Sequence, residues 1–247
     1  MERALDFAQL RGAQYADVRV VDNRTQSFAV RDGVVEGLND AETIGVGVRV
    51  LANGAWGFAS SRDLTAEEVD RVAGLAVQLA QAAARVPGQD IDLGPPVASR
   101  GVYSTPIQID PFSLPLEEKL NLLFAADAEM AKVPGLRVRR GNLTFIREHK
   151  WFANTEGALT EQTIYETGGG IQATAVGNGE VQSRSFPASF GRQQVTAGWE
   201  AALGWDLPGN AGRIAGEAVA LLTADPCPSE IVTDLILGGD QVALQVH

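Results

Sequence analysis

Three side chains in this sequence could serve as zinc ligands: His149, Cys227 and His247. They lie far apart in the chain, and a zinc site needs three or four ligands that converge from defined spacings. His149 stands between Glu148 and Lys150 in a strand-like pattern, which is typical of a surface residue. Cys227 stands between two prolines, which is typical of a domain boundary. By themselves, the three residues therefore predict no zinc site.

His247 differs from the other two because of the residues that precede it. A strand predicted over residues 231–237 and the glycine turn that follows it lead into a new helix, which Asp240 can cap and which begins at Gln241. His247 is the last residue of the sequence and lies on this helix. This is the setting in which a metal-binding helix could begin.

No other catalytic group stands out. The sequence has no G-x-S-x-G nucleophile motif, Gly45-Val46-Gly47 lacks the third glycine of a dinucleotide loop, and the carboxylates are too scattered to nominate an acid–base pair. Gly168-Gly169-Gly170 lies in strand-like sequence, where glycine marks a bulge or a close approach of backbone. Binding of a substrate backbone is the alternative use. We therefore predict that the chain, as written, lacks a complete catalytic site.

Charge and composition exclude two classes of partner. The net charge is −11, whereas a surface that binds DNA or RNA neutralises phosphates with Lys and Arg. The densest basic cluster, Arg137, Arg139 and Arg140, indicates the solvated face of a strand, with a phosphate or acidic-peptide contact as the alternative. No apolar run approaches the ~20 residues of a membrane helix. We therefore expect no direct nucleic-acid binding and no membrane contact.

The expected compartment is the cytoplasm. The first twelve residues carry both acidic and basic side chains, so they do not form a signal peptide. The single cysteine cannot form an internal disulfide, which fits a reducing compartment.

Hydrophobic periodicity predicts an α+β fold with two lobes of mainly antiparallel sheet and flanking helices. In the first lobe we predict a helix over residues 1–12, five short strands over 15–22, 25–31, 34–38, 44–51 and 56–60, and a helix from Thr65 to about Arg85. Tight turns at Asp32-Gly33 and Asn53-Gly54 join neighbouring strands. Thr65 and Glu68 form a predicted capping box.

The second lobe repeats this outline. Ser113 is the predicted cap of a helix with Pro115 in its first turn, strands follow over residues 136–195 with turns at 154–157 and 177–179, and a helix covers 210–224. The predicted domains are an N-terminal α+β domain (1–86), a linker rich in Pro, Gly and Asp (87–112), a central α+β domain (113–225), and the first strand and helix start of a truncated C-terminal domain (226–247).

Several short elements occur in a recognisable order. They are Ala16-Asp17-Val18-Arg19-Val20, then Gly45 to Val50 with Gly54 to Ala59, then Lys150-Trp151-Phe152-Ala153-Asn154-Thr155-Glu156-Gly157, then Arg184-Ser185, then Gly198-Trp199-Glu200, and finally Leu235 to His247. This ordered set resembles the N-terminal half of the TldD/PmbA family, metallopeptidases formerly described as modulators of DNA gyrase. The resemblance covers essentially the whole chain.

The resemblance implies a two-part N-terminal region followed by a catalytic metallopeptidase domain. His247 matches the first zinc ligand of the family's H-E-x-x-x-H motif. The glutamate, the second histidine and a later cysteine ligand of the family are absent, so stable zinc binding is not expected of this chain alone. In the intact protein the motif would hold zinc, and its glutamate would act as general base on the metal-bound water.

Three functions are compatible with the resemblance. The first is the N-terminal region of a TldD-type zinc metallopeptidase that acts on unfolded or modified peptides and contributes subunit contacts and substrate chamber, where an extended peptide could add to a sheet edge. The alternative is a non-catalytic partner subunit of the PmbA/TldE kind. Homodimers and heterodimers with a family paralogue are both open. The third, a gyrase-linked regulator that contacts DNA, is disfavoured by the acidic charge.

Overall fold

The computed structural model describes residues 1–86, 88, 91–230 and 232–247. Within them the chain forms six α-helices: α1 (Glu2–Leu10), α2 (Ala66–Ala83), α3 (Leu116–Ala131), α4 (Trp199–Gly204), α5 (Leu207–Ala220) and α6 (Gly239–Val246). The strands in the same residues are β1 (Tyr15–Arg31), β2 (Val34–Ala52), β3 (Ala55–Ser61), β4 (Arg100–Ser104), β5 (Leu136–Asn154), β6 (Leu159–Gly177), β7 (Glu180–Phe186) and β8 (Gln193–Val195). None of these helices is long and apolar enough to cross a membrane.

The strands form one sheet in the order β3-β2-β1-β5-β6-β4, and β7 and β8 also pair with β6. β3 is antiparallel to β2, and β7 and β8 are antiparallel to β6. β4 is parallel to β6. The predicted α+β fold with a mainly antiparallel sheet and flanking helices is confirmed.

Four of the strands are much longer than the sequence predicts. β1 has 17 residues, and β2, β5 and β6 have 19 each. The strands predicted over 15–22 and 25–31 are one strand, as are those over 34–38 and 44–51. In the sequence, polar residues such as Asn23 and Asn39 indicate the ends of separate short strands. The backbone stays extended through them because cross-strand pairing outweighs local propensity.

Contacts divide the chain into two compact units, each assembled from separate stretches. Unit 1 contains Met1–Thr25, Ala41–Thr105 and Ile146–Tyr165. Unit 2 contains Gln26–Asp40, Pro106–Phe145 and Glu166–His247. The domain boundaries predicted from the sequence stay a prediction, and the predicted linker over 87–112 includes strand β4.

In unit 1, α1 and α2 cover one face of the sheet. The core is made of small and β-branched residues, chiefly Ala16, Val18, Val46, Val48, Val50, Val72, Ala73, Ala76, Val77 and Ala80. Small residues on α2 allow a close approach, which is tightest at Gly57 of β3. A Cβ atom at Gly57 would lie 2.0 Å from the carbonyl oxygen of Ala76 and 2.4 Å from the backbone nitrogen of Ala80.

In unit 2, the helices α3, α4 and α5 pack against the sheet. The largest apolar members of this core are Trp199, Phe28, Phe145, Leu123, Met130, Leu143, Ile171, Leu207 and Ile214. The ring centroid of Phe145 lies 5.7 Å from that of Trp199 and 6.2 Å from that of Phe28. The fully buried Lys119 of α3 donates a hydrogen bond of 2.5 Å to Gln26 and lies over the Phe28 and Phe145 rings. Its amide partner and aromatic neighbours offset part of the cost of burying the charge.

The triple glycine at 168–170 marks a close approach of backbone, as predicted. A Cβ atom at Gly170 would lie 2.3 Å from the carbonyl oxygen of Gly191 and 2.8 Å from that of Phe186. A Cβ atom at Gly169 would lie 2.7 Å from Cδ2 of Leu143. The backbone that approaches β6 is therefore the segment of residues 187–192 that links β7 to β8, called the β7–β8 loop below.

The capping box predicted for α2 is wrong. Thr65 is the N-cap residue, but its side chain makes no capping hydrogen bond. The Glu68 carboxylate binds Arg71 at 2.6 and 2.7 Å, and hydrogen bonds from Arg71 and Ser61 lower the pKa of Glu68 to about 2. The Thr65 backbone N–H donates instead to Oδ1 of Asp63 at 2.9 Å. The nearby arginine is the stronger partner because its hydrogen bonds to the carboxylate are charge-assisted.

The helix starts of unit 2 also differ from the prediction. Ser113 ends a short 3-10 helix, Pro111–Ser113, which Asp110 caps by accepting the Phe112 N–H. The N-cap of α3 is Pro115. The helix predicted over 210–224 begins earlier, at Leu207, because Asp206 caps it by accepting the Gly209 N–H. Helix α4 was not predicted.

The C-terminal segment contains the predicted helix but not the predicted strand. α6 covers Gly239–Val246. Residues 232–238 have no regular secondary structure, and Ile231 lies outside the described residues. The side chains of Val232, Leu235 and Ile236 are exposed. A strand depends on pairing and packing rather than on β-branched composition alone, and these side chains pack on no core among the described residues.

The entry into α4 is fixed by Glu200. Its carboxylate accepts the Gly198 N–H at 2.9 Å and the Ile109 N–H at 3.0 Å. Burial raises the pKa of Glu200, but the backbone N–H donors lower it, and the net direction is below its ordinary value of 4.5. Glu200 therefore stabilises the fold as a carboxylate.

We predict that Gly57→Ala lowers the free energy of unfolding by about 1–3 kcal/mol, because the new methyl group overpacks the backbone of α2. Gly101→Ala is the control, since a Cβ atom there has no heavy atom within 4 Å. Urea denaturation measures both. Equal stability of the two variants would contradict the close packing of β3 on α2.

We predict that Glu200→Gln lowers the stability by about 1 kcal/mol near neutral pH, because a neutral amide accepts the backbone hydrogen bonds more weakly. A carboxylate whose pKa is lower in the folded than in the unfolded state stabilises the fold at pH values above the unfolded-state pKa. This contribution is lost as the pH falls through the folded-state pKa. The difference between wild type and variant should therefore shrink below about pH 4. Urea denaturation as a function of pH tests this, with the exposed Glu230→Gln as control. A difference that does not change with pH would rule out this role.

Candidate functional site

The predicted zinc ligand, His247, is exposed and directly follows α6. Its backbone N–H donates to the carbonyl oxygen of Ala243 at 3.1 Å. At the other end of the helix, Nε2 of Gln241 donates to Oγ of Ser189 at 2.8 Å. Helix α6 is thus held to the β7–β8 loop by a side-chain hydrogen bond, and the role of His247 as a ligand stays a prediction.

The other two candidates belong to no cluster of possible metal ligands among the described residues. His149 stacks on Trp151 with ring centroids 3.8 Å apart, and its Nε2 lies 2.8 Å from Oε1 of Glu161. It was predicted to be a surface residue, and its side chain is 25% exposed. Cys227 is exposed. The described residues contain no group of three or more His, Cys, Asp or Glu that could hold a metal, so they do not fit a complete zinc site.

The turn between β5 and β6 owes its shape to Asn154. Its Oδ1 accepts the N–H groups of Glu156 at 3.1 Å and Ala158 at 2.8 Å, and Gly157 takes the positive φ of 94° that the turn requires. Thr155 Oγ1 accepts the Ala16 N–H at 3.1 Å. The Asn-Thr-Glu-Gly element therefore fastens this turn to β1, which is a structural role.

Ser185 fixes the path of the β7–β8 loop, and Arg184, the residue before it, connects β7 to α5. Ser185 Oγ donates to the carbonyl oxygen of Ala188 at 2.7 Å and accepts the Gly191 N–H at 3.2 Å. Arg184 pairs with Glu217 of α5 at 2.9 Å. The Ser185 hydrogen bonds and the close approach to Gly170 hold the loop beside β6.

The β7–β8 loop forms one wall of a cavity of about 550 Å³ in unit 2, called the unit-2 cavity below. Asn142 and Thr144 of β5 and Gln172 of β6 line it from the sheet, and Phe190 and Arg192 line it from the loop. Arg140 of β5 adds a second cation. No carboxylate occurs among the described residues of its lining.

The arginine cluster on β5 is divided between the two faces of the sheet. Arg139 is only 21% exposed and pairs with Asp127 of α3 at 3.1 Å. Arg140, the next residue, lines the unit-2 cavity on the opposite face. The prediction of a single solvated face is therefore wrong, because consecutive strand residues point to opposite sides.

Unit 1 contains a second groove, of about 590 Å³, on the sheet face opposite α1 and α2. Gly45 and Gly47 line it, and Phe58, which is 58% exposed, lies against Gly47. Arg49 pairs with the buried Asp17 at 2.7 Å. Burial lowers the pKa of Arg49 and the Asp17 contact raises it, with a net rise. The ion pair neutralises the one carboxylate in this groove.

Sequence reasoning missed the residues of the unit-2 cavity. Phe190 and Arg192 lie in a stretch that the sequence predicts as strand, and this prediction is wrong because residues 187–192 form the irregular β7–β8 loop. One signal was present: three consecutive glycines in a strand predict that another backbone passes there. The strand alternation of Arg139 and Arg140 could also have separated their roles.

Two family models match this chain. The model described as PmbA/TldA metallopeptidase domain 1 matches residues 16–80. The model described as PmbA/TldA metallopeptidase central domain matches residues 109–224. Together they cover more than half of the chain.

Individual relatives agree with these models. A protein named metalloprotease from Methanothermobacter thermautotrophicus is 28% identical over 231 residues, which are 92% of this chain and 48% of that protein. Among solved structures, a protein from Thermotoga maritima described as a DNA gyrase modulator matches with a TM-score of 0.67 at 17% identity, over 92% of this chain and 49% of that one. TldE from Thermococcus kodakarensis matches with a TM-score of 0.57 at 13% identity, over 88% and 47%.

The chain spans about half the length of these relatives. The two structures share its fold. With both family domains matched in order along the sequence, the chain belongs to the PmbA/TldD metallopeptidase family.

Proposed function

We propose that this chain forms the N-terminal region of a TldD-type zinc metallopeptidase that acts on unfolded or modified peptides in the cytoplasm. In this proposal it supplies subunit contacts and part of the substrate chamber. The observation that carries the proposal is the pair of family domains, matched over residues 16–80 and 109–224. A relative named metalloprotease, of which the chain spans 48%, supports it.

Two features of the fold suit an unfolded peptide. β4 lies at one end of the strand order, pairs only with β6 among the described strands, and has all five residues exposed. An extended peptide can add to such an edge through main-chain hydrogen bonds, which do not depend on its sequence. The unit-2 cavity and the unit-1 groove lie on open faces of the sheet and offer contacts for the side chains of such a peptide.

The alternative is a non-catalytic partner subunit of the PmbA/TldE kind, in a heterodimer with a catalytic paralogue. The fold of TldE from Thermococcus kodakarensis is similar, so the fold suits both proposals. Metal binding separates them, because a catalytic subunit must hold zinc through at least three protein ligands.

We predict that the product of the complete gene binds about one zinc per chain and that His247→Ala abolishes zinc binding and cleavage of an unfolded peptide. His149→Ala is the matched control, because it removes the other histidine of this chain. Elemental analysis of purified protein measures the metal, and a fluorogenic peptide measures cleavage.

Two results would separate the proposals. A product without stoichiometric zinc excludes the catalytic proposal and favours the partner subunit. Stoichiometric zinc that survives His247→Ala excludes His247 as a ligand.

A further inference from the structure

The unit-2 cavity lies on the face of the sheet that α3 and α5 do not cover. Along β5, Leu143 and Phe145 are buried in the core beneath the helices, whereas Arg140, Asn142 and Thr144 line the cavity. This alternation is the normal pleat of a strand. The cavity is therefore open on one side, and the β7–β8 loop closes it on another.

The charge of this cavity is opposite to that of the chain. The chain carries a net charge of −11, yet the cavity is lined by Arg140 and Arg192. Neither guanidinium forms an ion pair with a described residue. Charges that only solubilise a surface are normally interspersed with opposite charges. Two unpaired arginines in one concavity instead give it a local positive charge, which favours an anionic ligand.

The remaining lining suits a peptide. Asn142, Thr144 and Gln172 each carry groups that donate and accept hydrogen bonds, as the N–H and C=O groups of a peptide backbone require. Phe190 is 56% exposed and offers an apolar contact. The volume of about 550 Å³ lies within the range of roughly 300–1,000 Å³ that is usual for ligand sites.

We infer that the unit-2 cavity binds a carboxylate carried by an extended peptide, with Arg140 and Arg192 as its charged donors. Arginine suits this ligand because its planar guanidinium can donate two parallel hydrogen bonds to one carboxylate. The choice of a peptide as ligand rests on the proposed function. The inference adds that the peptide is recognised through an acidic group, either an Asp or Glu side chain or a free C-terminus.

The backbone next to Arg192 is held by hydrogen bonds. Gly191, its neighbour, donates its N–H to Ser185 Oγ at 3.2 Å. Asn142 donates to the carbonyl oxygen of Gly191, with 3.5 Å between the two atoms. Loop and strand are thus connected by hydrogen bonds directly beside the two arginines. A wall ordered before binding lowers the entropic cost of binding.

The test is peptide binding to the complete protein after its metal has been removed with a chelator, so that no hydrolysis occurs. Three fluorescent peptides share one neutral sequence. The first has an internal Asp-Glu pair and an amidated C-terminus, the second is neutral with a free C-terminal carboxylate, and the third is neutral and amidated. Fluorescence anisotropy gives the dissociation constants.

We expect at least one of the two carboxylate peptides to bind about tenfold more tightly than the neutral amidated peptide. The peptide that binds identifies the source of the carboxylate. Arg140→Gln and Arg192→Gln should each weaken this binding about tenfold. Arg137→Gln is the matched control: it removes an exposed arginine from the same strand, on the face opposite the cavity, and should change the affinity by less than about twofold.

Equal affinity for all three peptides, or an effect of Arg137→Gln as large as that of Arg140→Gln, would overturn the inference. Thermal unfolding of each variant shows whether it is folded, so that a loss of binding is not mistaken for a loss of structure. The assay needs neither zinc nor cleavage. Failure of the carboxylate site is therefore distinct from failure of the peptidase proposal, which zinc content and cleavage test.

Discussion

The organisation of unit 2 depends on one steric constraint: the backbone of the β7–β8 loop lies directly against β6. Only glycine at position 170 permits this, because a Cβ atom there would lie 2.3 Å from the carbonyl oxygen of Gly191. The hydrogen bonds of Ser185 to Ala188 and Gly191 then fix the path of the loop. Glycine loses more conformational entropy on folding than other residues do. At position 170 it nevertheless permits the close approach that forms the cavity wall.

This constraint connects elements that are distant in the sequence. The loop carries Phe190 and Arg192 to a cavity whose other cation, Arg140, comes from β5. It also carries Ser189, which accepts the hydrogen bond from Gln241 of α6. The helix that leads to His247 is therefore attached to the wall of the unit-2 cavity. The loop therefore contacts both the unit-2 cavity and α6.

Much of the fold was predictable where local chemistry decides the structure. Asp32-Gly33 and Asn53-Gly54 predicted tight turns, and all four residues take positive φ angles. Apolar periodicity predicted α1 and α2, whose inner faces are buried. Strand length was not predictable from local pattern, because residues such as Asn39 are held extended by their neighbours. The capping box at Thr65 failed for a similar reason: Arg71 binds Glu68 more strongly than a backbone N–H does.

The candidate site, too, was predictable from the sequence only in part. Resemblance of motifs identified the family and nominated His247, but no local pattern could reveal that Arg140 and Arg192 line one cavity, because the loop path brings them to it. The most direct test of that path is amide hydrogen exchange at residues 187–192 in wild type and in Gly170→Ala. We predict faster exchange in the variant, most clearly at the Gly191 N–H, because a methyl group displaces the loop from Ser185. Unchanged protection would contradict it.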